Sequence, residues 1–567
     1  MDYNQQYQNW LNDPTIDEAT KAELRAIANN PAEIQDRFYR ELEFGTGGLR
    51  GVIGAGTNRL NIYTIRKATQ GLANYILQSD VYKPGMPVAI AHDSRNYSPE
   101  FSTEAALVLN ANGIKTFTFD SLRPTPLLSF AVRHLGCVAG IVVTASHNPP
   151  EYNGYKVYWS DGGQCPYPRD EAIIAEVQKV AAIQTMPQEE AVAKGLFNVA
   201  SPDVDDEYIK NVKAQCLNSD VIPSSDINIV YTPLHGAGNV SVQRCLREIG
   251  FKYVSVVAEQ EQPDGNFPTV AYPNPEDVKA FANALQLARK KDADIVVATD
   301  PDCDRVGVAV KHAGDYILLN GNQTGVILVE YMVSQMLAQG KLPQNGAVIS
   351  TIVSTNMARV IAERSGLAYM EVLTGFKYIG EKIKEFEETG SNTFILGFEE
   401  SYGYLAGTYA RDKDGVVATL LVCEAAAFYK RQGLSLYDVL QKLYEKYGTY
   451  YESIESITLK GVEGVANIKK IMASLRQNPP VSLGGTQVAE VRDYKSGVVR
   501  HIQTNAISPT KLPVSDVLYY AMESGAWACV RPSGTEPKVK IYFGASSQKE
   551  LKNMSDEFLS LVEKIGE

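Results

Sequence analysis

Residues 141–156 read Ile-Val-Val-Thr-Ala-Ser-His-Asn-Pro-Pro-Glu-Tyr-Asn-Gly-Tyr-Lys. The β-branched start reads as a buried strand, and Asn148, Pro149 and Pro150 cannot continue it, so Ser146 and His147 fall on a loop at the strand's carboxyl end. In an open α/β sheet that edge is where ligands bind. A serine held there can carry a phosphoryl group if a neighbour activates its hydroxyl and neutralises the phosphate. Taken alone, the loop reads equally well as a polar turn whose serine caps something. It contains no Gly-x-Ser-x-Gly elbow, so acyl transfer through a hydrolase triad is not suggested.

Outward from this loop, residues 60–157 alternate between helix and strand patterns, with helices at 61–79, 98–113 and 124–135 and strands at 87–91 and 114–119. Such alternation is the signature of a mainly parallel sheet covered by helices. The rhythm returns with strands at 227–231, 252–257 and 294–299, and again at 347–353, 368–373 and 392–396. After Gly448 the order becomes strand, helix, short strands and a closing helix from Gln548, an α+β pattern. The Tyr-rich stretch from Tyr444 to Tyr451 reads as a hinge or linker. Upstream, residues 17–43 read as two amphipathic helices, the second entered through Asn30 as N-cap and Pro31. They lead into Phe44-Gly-Thr-Gly-Gly-Leu-Arg50-Gly, which lacks the Gly-Lys-Ser/Thr ending of a P-loop and the βαβ setting of a dinucleotide fingerprint, so its glycines read as a turn.

At 567 residues the chain exceeds one core, and at ~100 to 200 residues per domain about three to five domains are expected; four is the count adopted. The net charge of -12, from 66 acidic against 54 basic side chains with no polybasic run, argues against nucleic acid and anionic membrane as partners. Seven scattered cysteines without a Cys-x-x-Cys pair suit reduced thiols in a cytoplasmic protein. No signal peptide or transmembrane span is read, since Glu424 interrupts the most apolar helix-like run, residues 416–428.

The second chemistry-bearing stretch is Asp300-Pro-Asp302-Cys-Asp304-Arg305, between two apolar strands. Three carboxylates at i, i+2 and i+4 repel one another unless a cation sits among them, and oxygen ligands select a hard ion such as Mg²⁺. An EF-hand is excluded, because its sixth position is Arg305 and its twelfth Lys311. A solvated acidic turn is the alternative, and the apolar strands on both sides favour metal. Thr374-Gly375-Phe-Lys377 follows a strand, and Glu399-Glu-Ser401 could hold two neighbouring sugar hydroxyls or form a surface turn. Arg531-Pro-Ser533-Gly534-Thr535 offers a guanidinium fork, two hydroxyls and turned-in amides, a phosphate-binding nest.

With these motifs in this order, the chain resembles the α-D-phosphohexomutases over nearly its whole length. The resemblance implies three similar mixed-sheet α/β domains plus a C-terminal α+β domain around a central active-site cleft, here bounded as 1–204, 205–320, 321–447 and 448–567. It makes Ser146 the phosphoserine, Asp300, Asp302 and Asp304 the Mg²⁺ ligands together with Ser146, and Arg50, Lys156 and His147 members of the catalytic group. Arg305, Thr374, Gly375, Lys377, Glu399, Ser401, Arg531, Ser533, Gly534 and Thr535 become contacts to substrate. Many members carry Gly-His after the Glu-x-Ser, whereas Tyr402, Gly403 and Tyr404 follow here. His235 reads as structural.

The implied activity is reversible phosphoryl transfer between C1 and C6 of a hexose phosphate, with a hexose 1,6-bisphosphate as intermediate and glucose 1,6-bisphosphate as activator, in a monomer or weak homodimer. Lys156 is the candidate for handling the hydroxyl proton, with a purely electrostatic role as its alternative. Glucose 1-phosphate is expected to be a good substrate, mannose 1-phosphate usable and galactose 1-phosphate poor. The rivals are a phosphopentomutase of the same family, a Mg²⁺-dependent sugar phosphatase with an aspartate nucleophile, and a non-catalytic sugar-phosphate-binding protein.

Overall fold

The structure is a computed structural model that describes residues 2–45, 48–459, 461–532 and 538–566. Two compact units emerge, one formed by Met1–Gly346 with Phe376–Tyr437, the other by Ala347–Gly375 with Asp438–Glu567.

In the first unit the strands are β1 (Gly48–Val52), β2 (Val88–His92), β3 (Thr116–Thr118), β4 (Ala139–Val143), β5 (Tyr152–Trp159) and β6 (Phe197–Val199). They form a 6-stranded sheet in the order β1-β5-β4-β2-β3-β6, parallel among β4, β2, β3 and β6 and antiparallel where β5 meets β4 and β1. β4 is buried along its whole length, and Ile141 and Val143 join Leu72, Ile90, Leu109 and Trp159 in one core. The helix Ile62–Gln78 begins with an Asn61 capping box, and Pro99 stands in the first turn of Ser98–Ala111, so both starts are set by local sequence.

Two readings change here. The glycine-rich stretch is not simply a turn, because from Gly48 it is an edge strand paired with β5. The reason is close backbone approach, since a Cβ on Gly48 would lie 1.8 Å from the Tyr155 carbonyl oxygen. The strand β5 was not foreseen, and it brings Lys156 back beside Val142 in register.

A 5-stranded sheet follows, with β7 (Asn228–Thr232), β8 (Tyr253–Val256), β9 (Ile295–Thr299), β10 (Val306–His312) and β11 (Asp315–Leu319) in the order β11-β10-β9-β7-β8. β7 runs parallel to β8 and β9, while β10 runs antiparallel to β9 and β11. The aspartate stretch is therefore the β9–β10 hairpin loop. The unit also holds an antiparallel hairpin, Thr393–Glu399 with Gly403–Ala406, whose register pairs Glu399 with Gly403. After it comes the helix Gly415–Lys430, capped by Asp414. Glu424 is buried inside that helix, where Oε1 accepts from the backbone N–H of Leu217 at 2.8 Å and from that of Asn218. No helix among the described residues is long and apolar enough to cross a membrane.

The second unit contains a parallel pair, residues 347–351 against Ala368–Val372, and an antiparallel sheet built around Tyr451–Thr458, Lys538–Ala545, Trp527–Pro532, Leu518–Met522 and Thr486–Asp493. Leu475, Ile541, Phe543 and Phe558 form its core with the helices Gly461–Gln477 and Gln548–Gly566, an α+β arrangement. The Tyr-rich stretch is not a linker. Tyr444 and Tyr447 lie in the helix Leu436–Tyr447, and Tyr451 opens a strand. Leu436, Val439, Leu440, Leu443 and Tyr447 are all buried at helical spacing, which explains the difference.

Candidate active site

Ser146 stands where β4 gives out. Its backbone is left-handed, with φ 53°, a conformation that costs a non-glycine residue about 1–3 kcal/mol unless its surroundings enforce it. The enforcement is visible. Thr144 Oγ1 accepts from the Ser146 N–H at 2.7 Å and donates to Asp93 Oδ2 at 2.5 Å. The fully buried Arg95 donates to the carbonyls of Ser146 at 2.6 Å, Pro149 at 2.8 Å, Tyr152 at 2.9 Å and also Asn148. One guanidinium thus holds the loop's carbonyls at once. The Ser146 hydroxyl donates to Asp300 Oδ2 at 2.7 Å and lies 3.1 Å from His147 Nδ1.

Asp300, Asp302 and Asp304 are at most 2% exposed, and their ligand oxygens all lie within 4.8 Å of one another. Asp300 Oδ1 accepts the N–H groups of Asp304 at 3.1 Å and Arg305 at 3.0 Å, which closes the loop on itself. The Oδ1 atoms of Asp302 and Asp304 are buried without a hydrogen-bond partner. Buried carboxylate oxygens left this way are costly, and a hard cation would satisfy them, so the donor set fits a divalent metal.

Three cations stand beside these charges. Lys156 Nζ is 2.7 Å from Asp302 and 3.3 Å from Asp304, while Lys413 Nζ is 3.1 Å from both Asp304 and Asp412. Arg305 pairs with Glu276 and lies 3.9 Å from Asp304. Burial, reinforced by Asp302 and Asp304, pushes the Asp300 carboxyl well above the usual range. Burial works against charge on Asp302 too, but Lys156 outweighs it and holds that carboxyl below the usual range. The same balance, burial overcome by carboxylates, raises Lys156 and Lys413.

Glu399, buried at 6% exposure, ends its strand, and Ser401 and Tyr402 turn the hairpin, Tyr402 at φ 66°. The Tyr402 carbonyl accepts from the Val306 N–H at 3.0 Å, which ties this turn to the aspartate loop. Arg50, on β1, reaches Asn148 Oδ1 at 3.5 Å, and Lys377 lies 3.4 Å from Asp170. The first unit therefore gathers Ser146, His147, Lys156, Arg50 and the three aspartates, with Glu399 and Ser401 tied to them. Thr374, Gly375 and Arg531 belong to the second unit, Arg531 in the strand Trp527–Pro532 opposite Lys540. Ser533, Gly534 and Thr535 lie outside the described residues. His235 is structural, its ring bonded to the Gln262 carbonyl at 3.2 Å and Thr269 at 2.9 Å.

Lys413 and Arg95 were missed by sequence reasoning. For Lys413 a signal existed, because Arg411-Asp-Lys-Asp414 packs four alternating charges directly before the most apolar helix. Arg95 carried none.

Models of four domains match the chain: phosphoglucomutase/phosphomannomutase alpha/beta/alpha domain I at residues 41–184, domain II at 206–314, domain III at 320–447, and the C-terminal domain at 463–561. A phosphoglucomutase of Staphylococcus epidermidis is 36% identical over 544 residues, 95% of this chain and 96% of that one. One from Staphylococcus aureus is 36% identical over 533 residues, 93% of this chain and 94% of its own. Among solved structures, a putative phosphomannomutase from Thermus thermophilus has a TM-score of 0.69 at 24% identity, covering 92% of this chain and 99% of that one. The Paramecium phosphoglucomutase pp63/parafusin has a TM-score of 0.68 at 17% identity, covering 93% and 95%. These two show the same fold.

Proposed function

The chain belongs to the phosphoglucomutase/phosphomannomutase family and is an isomerase of the phosphotransferase kind, and from that premise we propose how its own residues carry the reaction and on which sugar. The substrate is α-glucose 1-phosphate, exchanged with glucose 6-phosphate through phospho-Ser146 and a bound glucose 1,6-bisphosphate that also serves as activator. Support for glucose comes from the curated relatives, which are named phosphoglucomutases.

The observation that carries the reading is the Ser146 hydroxyl, 2.7 Å from Asp300 in a group of three buried aspartates. Asp300, Asp302 and Asp304 would hold Mg²⁺, which supplies positive charge against the moving phosphoryl group. Phospho-Ser146 gives its phosphoryl to the free C6 hydroxyl, the bisphosphate turns around, and the C1 phosphate returns to Ser146. His147 Nδ1, 3.1 Å from the serine oxygen, returns a proton to it when the phosphoryl leaves, while the C6 hydroxyl gives up its own proton to solvent as its bond to phosphorus forms. Lys156 is bound in ion pairs to Asp302 and Asp304 that keep it charged, which favours the electrostatic role over proton transfer. Arg50 adds charge beside the serine loop. Glu399 and Ser401 take neighbouring sugar hydroxyls, the Arg531 loop receives the idle phosphate, and Thr374, Gly375 and Lys377 are further contacts to substrate.

We place the enzyme in the cytoplasm, supported by seven free thiols, and read it as a monomer or weak homodimer. The deciding experiment measures kcat/KM for glucose, mannose, galactose and ribose 1-phosphates with Mg²⁺ and trace glucose 1,6-bisphosphate. A lead for ribose would make the enzyme a phosphopentomutase. Mass spectrometry of the purified protein, with and without hydroxylamine, separates phosphoserine from the acyl phosphate of an aspartate-dependent phosphatase.

A further inference from the structure

Each aspartate of the triad has one oxygen held by groups other than Ser146. Asp300 Oδ1 takes two backbone N–H groups, at 3.1 Å and 3.0 Å. Asp304 Oδ2 takes the ammonium groups of Lys156 at 3.3 Å and Lys413 at 3.1 Å. Asp302 Oδ2 takes Lys156 at 2.7 Å and the hydroxyl of Thr125 at 2.9 Å. The oxygens that remain are Asp300 Oδ2, which accepts the Ser146 hydroxyl at 2.7 Å, and the Oδ1 atoms of Asp302 and Asp304, which have no hydrogen-bond partner.

Thr125 differs from the two lysines behind the triad because it is neutral and fully buried. It opens the helix Thr125–His134, and its N–H also donates to the Asp302 carbonyl at 2.9 Å, so main chain and side chain grip the same residue. A lysine ammonium is a point charge on a flexible stem and follows whichever carboxylate oxygen turns toward it. A hydroxyl held at a helix start has a single donor proton, so it serves one oxygen at a time.

We infer that Thr125 is a positioning residue for the cation: its hydroxyl fixes Asp302 so that Oδ1, and not Oδ2, is presented. The inference rests on the reading of the three aspartates as a cation site. Hydrogen-bonding groups behind metal ligands alter metal affinity by about 10- to 100-fold.

The test is calorimetric titration of Mg²⁺ into the full-length protein and into Thr125→Val, Thr125→Ala and Thr125→Ser, with circular dichroism to establish the fold of each. The parent and Thr125→Ser, which keeps the hydroxyl, are expected to bind alike, whereas Val and Ala weaken Mg²⁺ binding about tenfold or more. The Mg²⁺ concentration for half-maximal activity should rise by the same factor. If Val fails to fold, the Ala and Ser pair makes the same comparison. A parent that binds Mg²⁺ alongside Val and Ala variants that bind it equally well overturns the role of Thr125 alone. Equal weakening in Ser and Ala also overturns it, because the hydroxyl is then not the cause. A parent that binds no Mg²⁺ removes the cation reading and this inference together.

Discussion

Lys413→Met is the substitution whose consequences the structure defines most fully. Nζ lies 3.1 Å from a carboxylate oxygen of Asp304 and 3.1 Å from one of Asp412. At an effective dielectric of about 20, each such pair is worth about 5 kcal/mol of gross attraction, and desolvating the ammonium takes back several. Methionine keeps an unbranched stem, and the space for it is already cut: a Cβ on Gly403 would sit 2.2 Å from Lys413 Cδ. What is lost is the charge, and two buried carboxylates stay behind without it. Stranding buried charge in this way costs about 3–5 kcal/mol.

The pH dependence separates this cause from simple repacking. Burial raises the Asp412 carboxyl, but Lys413, Lys156 and the Tyr158 hydroxyl, which donates at 2.6 Å, outweigh it and hold the folded value below the usual range. A depressed carboxyl stabilises the fold above its unfolded pKa near 4, and the contribution is lost as pH falls through the lower folded value. Without Lys413 the burial effect is less opposed and the folded value rises. The stability gap between parent and variant should therefore be widest at pH 7 and narrow as pH falls through the variant's higher value and on through the parent's lower one, below pH 4. Urea unfolding in EDTA, followed by circular dichroism across that range, measures it. A gap below about 1 kcal/mol at pH 7, or one of constant size at every pH, would refute the ion-pair reasoning.

Ser146→Ala should leave the circular dichroism spectrum unchanged and abolish turnover, even with added glucose 1,6-bisphosphate; residual full activity would remove the serine from the mechanism. EDTA should stop the parent enzyme and Mg²⁺ restore it, while an enzyme indifferent to EDTA would contradict the cation reading of the aspartates. Arg531→Ala should lower kcat/KM by roughly one to two orders of magnitude in both directions, as loss of a charged hydrogen bond implies. An effect on only one direction, beyond what the equilibrium requires, would contradict a loop that receives whichever phosphate is idle.

The residues that could be picked out from sequence are those whose chemistry is dense and local. Asp300, Asp302 and Asp304 fall within five residues between two apolar strands, so their repulsion is readable without a fold. Ser146 was readable because the strand before it ends at two prolines. Arg95 and Thr125 were not, because each acts on a partner 51 or more residues away, and the contact exists only after the sheets form. The strand β5 escaped for a related reason: its side chains are buried on both faces apart from Tyr152, so no alternation marks it. The Tyr-rich stretch misled because Tyr444 and Tyr447 belong to a helix and Tyr451 to a strand, whereas composition alone suggested a linker.

The departure at Tyr402 shows how far a side-chain motif and a backbone position can come apart. The turn that follows Glu399 is tied to the aspartate loop by the Val306 N–H donating to the Tyr402 carbonyl at 3.0 Å. That bond asks nothing of the side chain at 402. It asks only that the residue accept a left-handed backbone, which Tyr402 does at φ 66°. With Tyr402 and Gly403 at the two positions after Ser401, in place of the Gly-His of many family members, Glu399 and Ser401 therefore stay anchored to the aspartate loop and only what the turn presents is changed. Tyr404 turns inward, its hydroxyl donating to the Gly321 carbonyl at 3.1 Å. Gly403, between them, is fixed by the Lys413 stem packed against it, so the one position in the turn where a side chain is sterically excluded lies beside one of the two lysines that pair with Asp304.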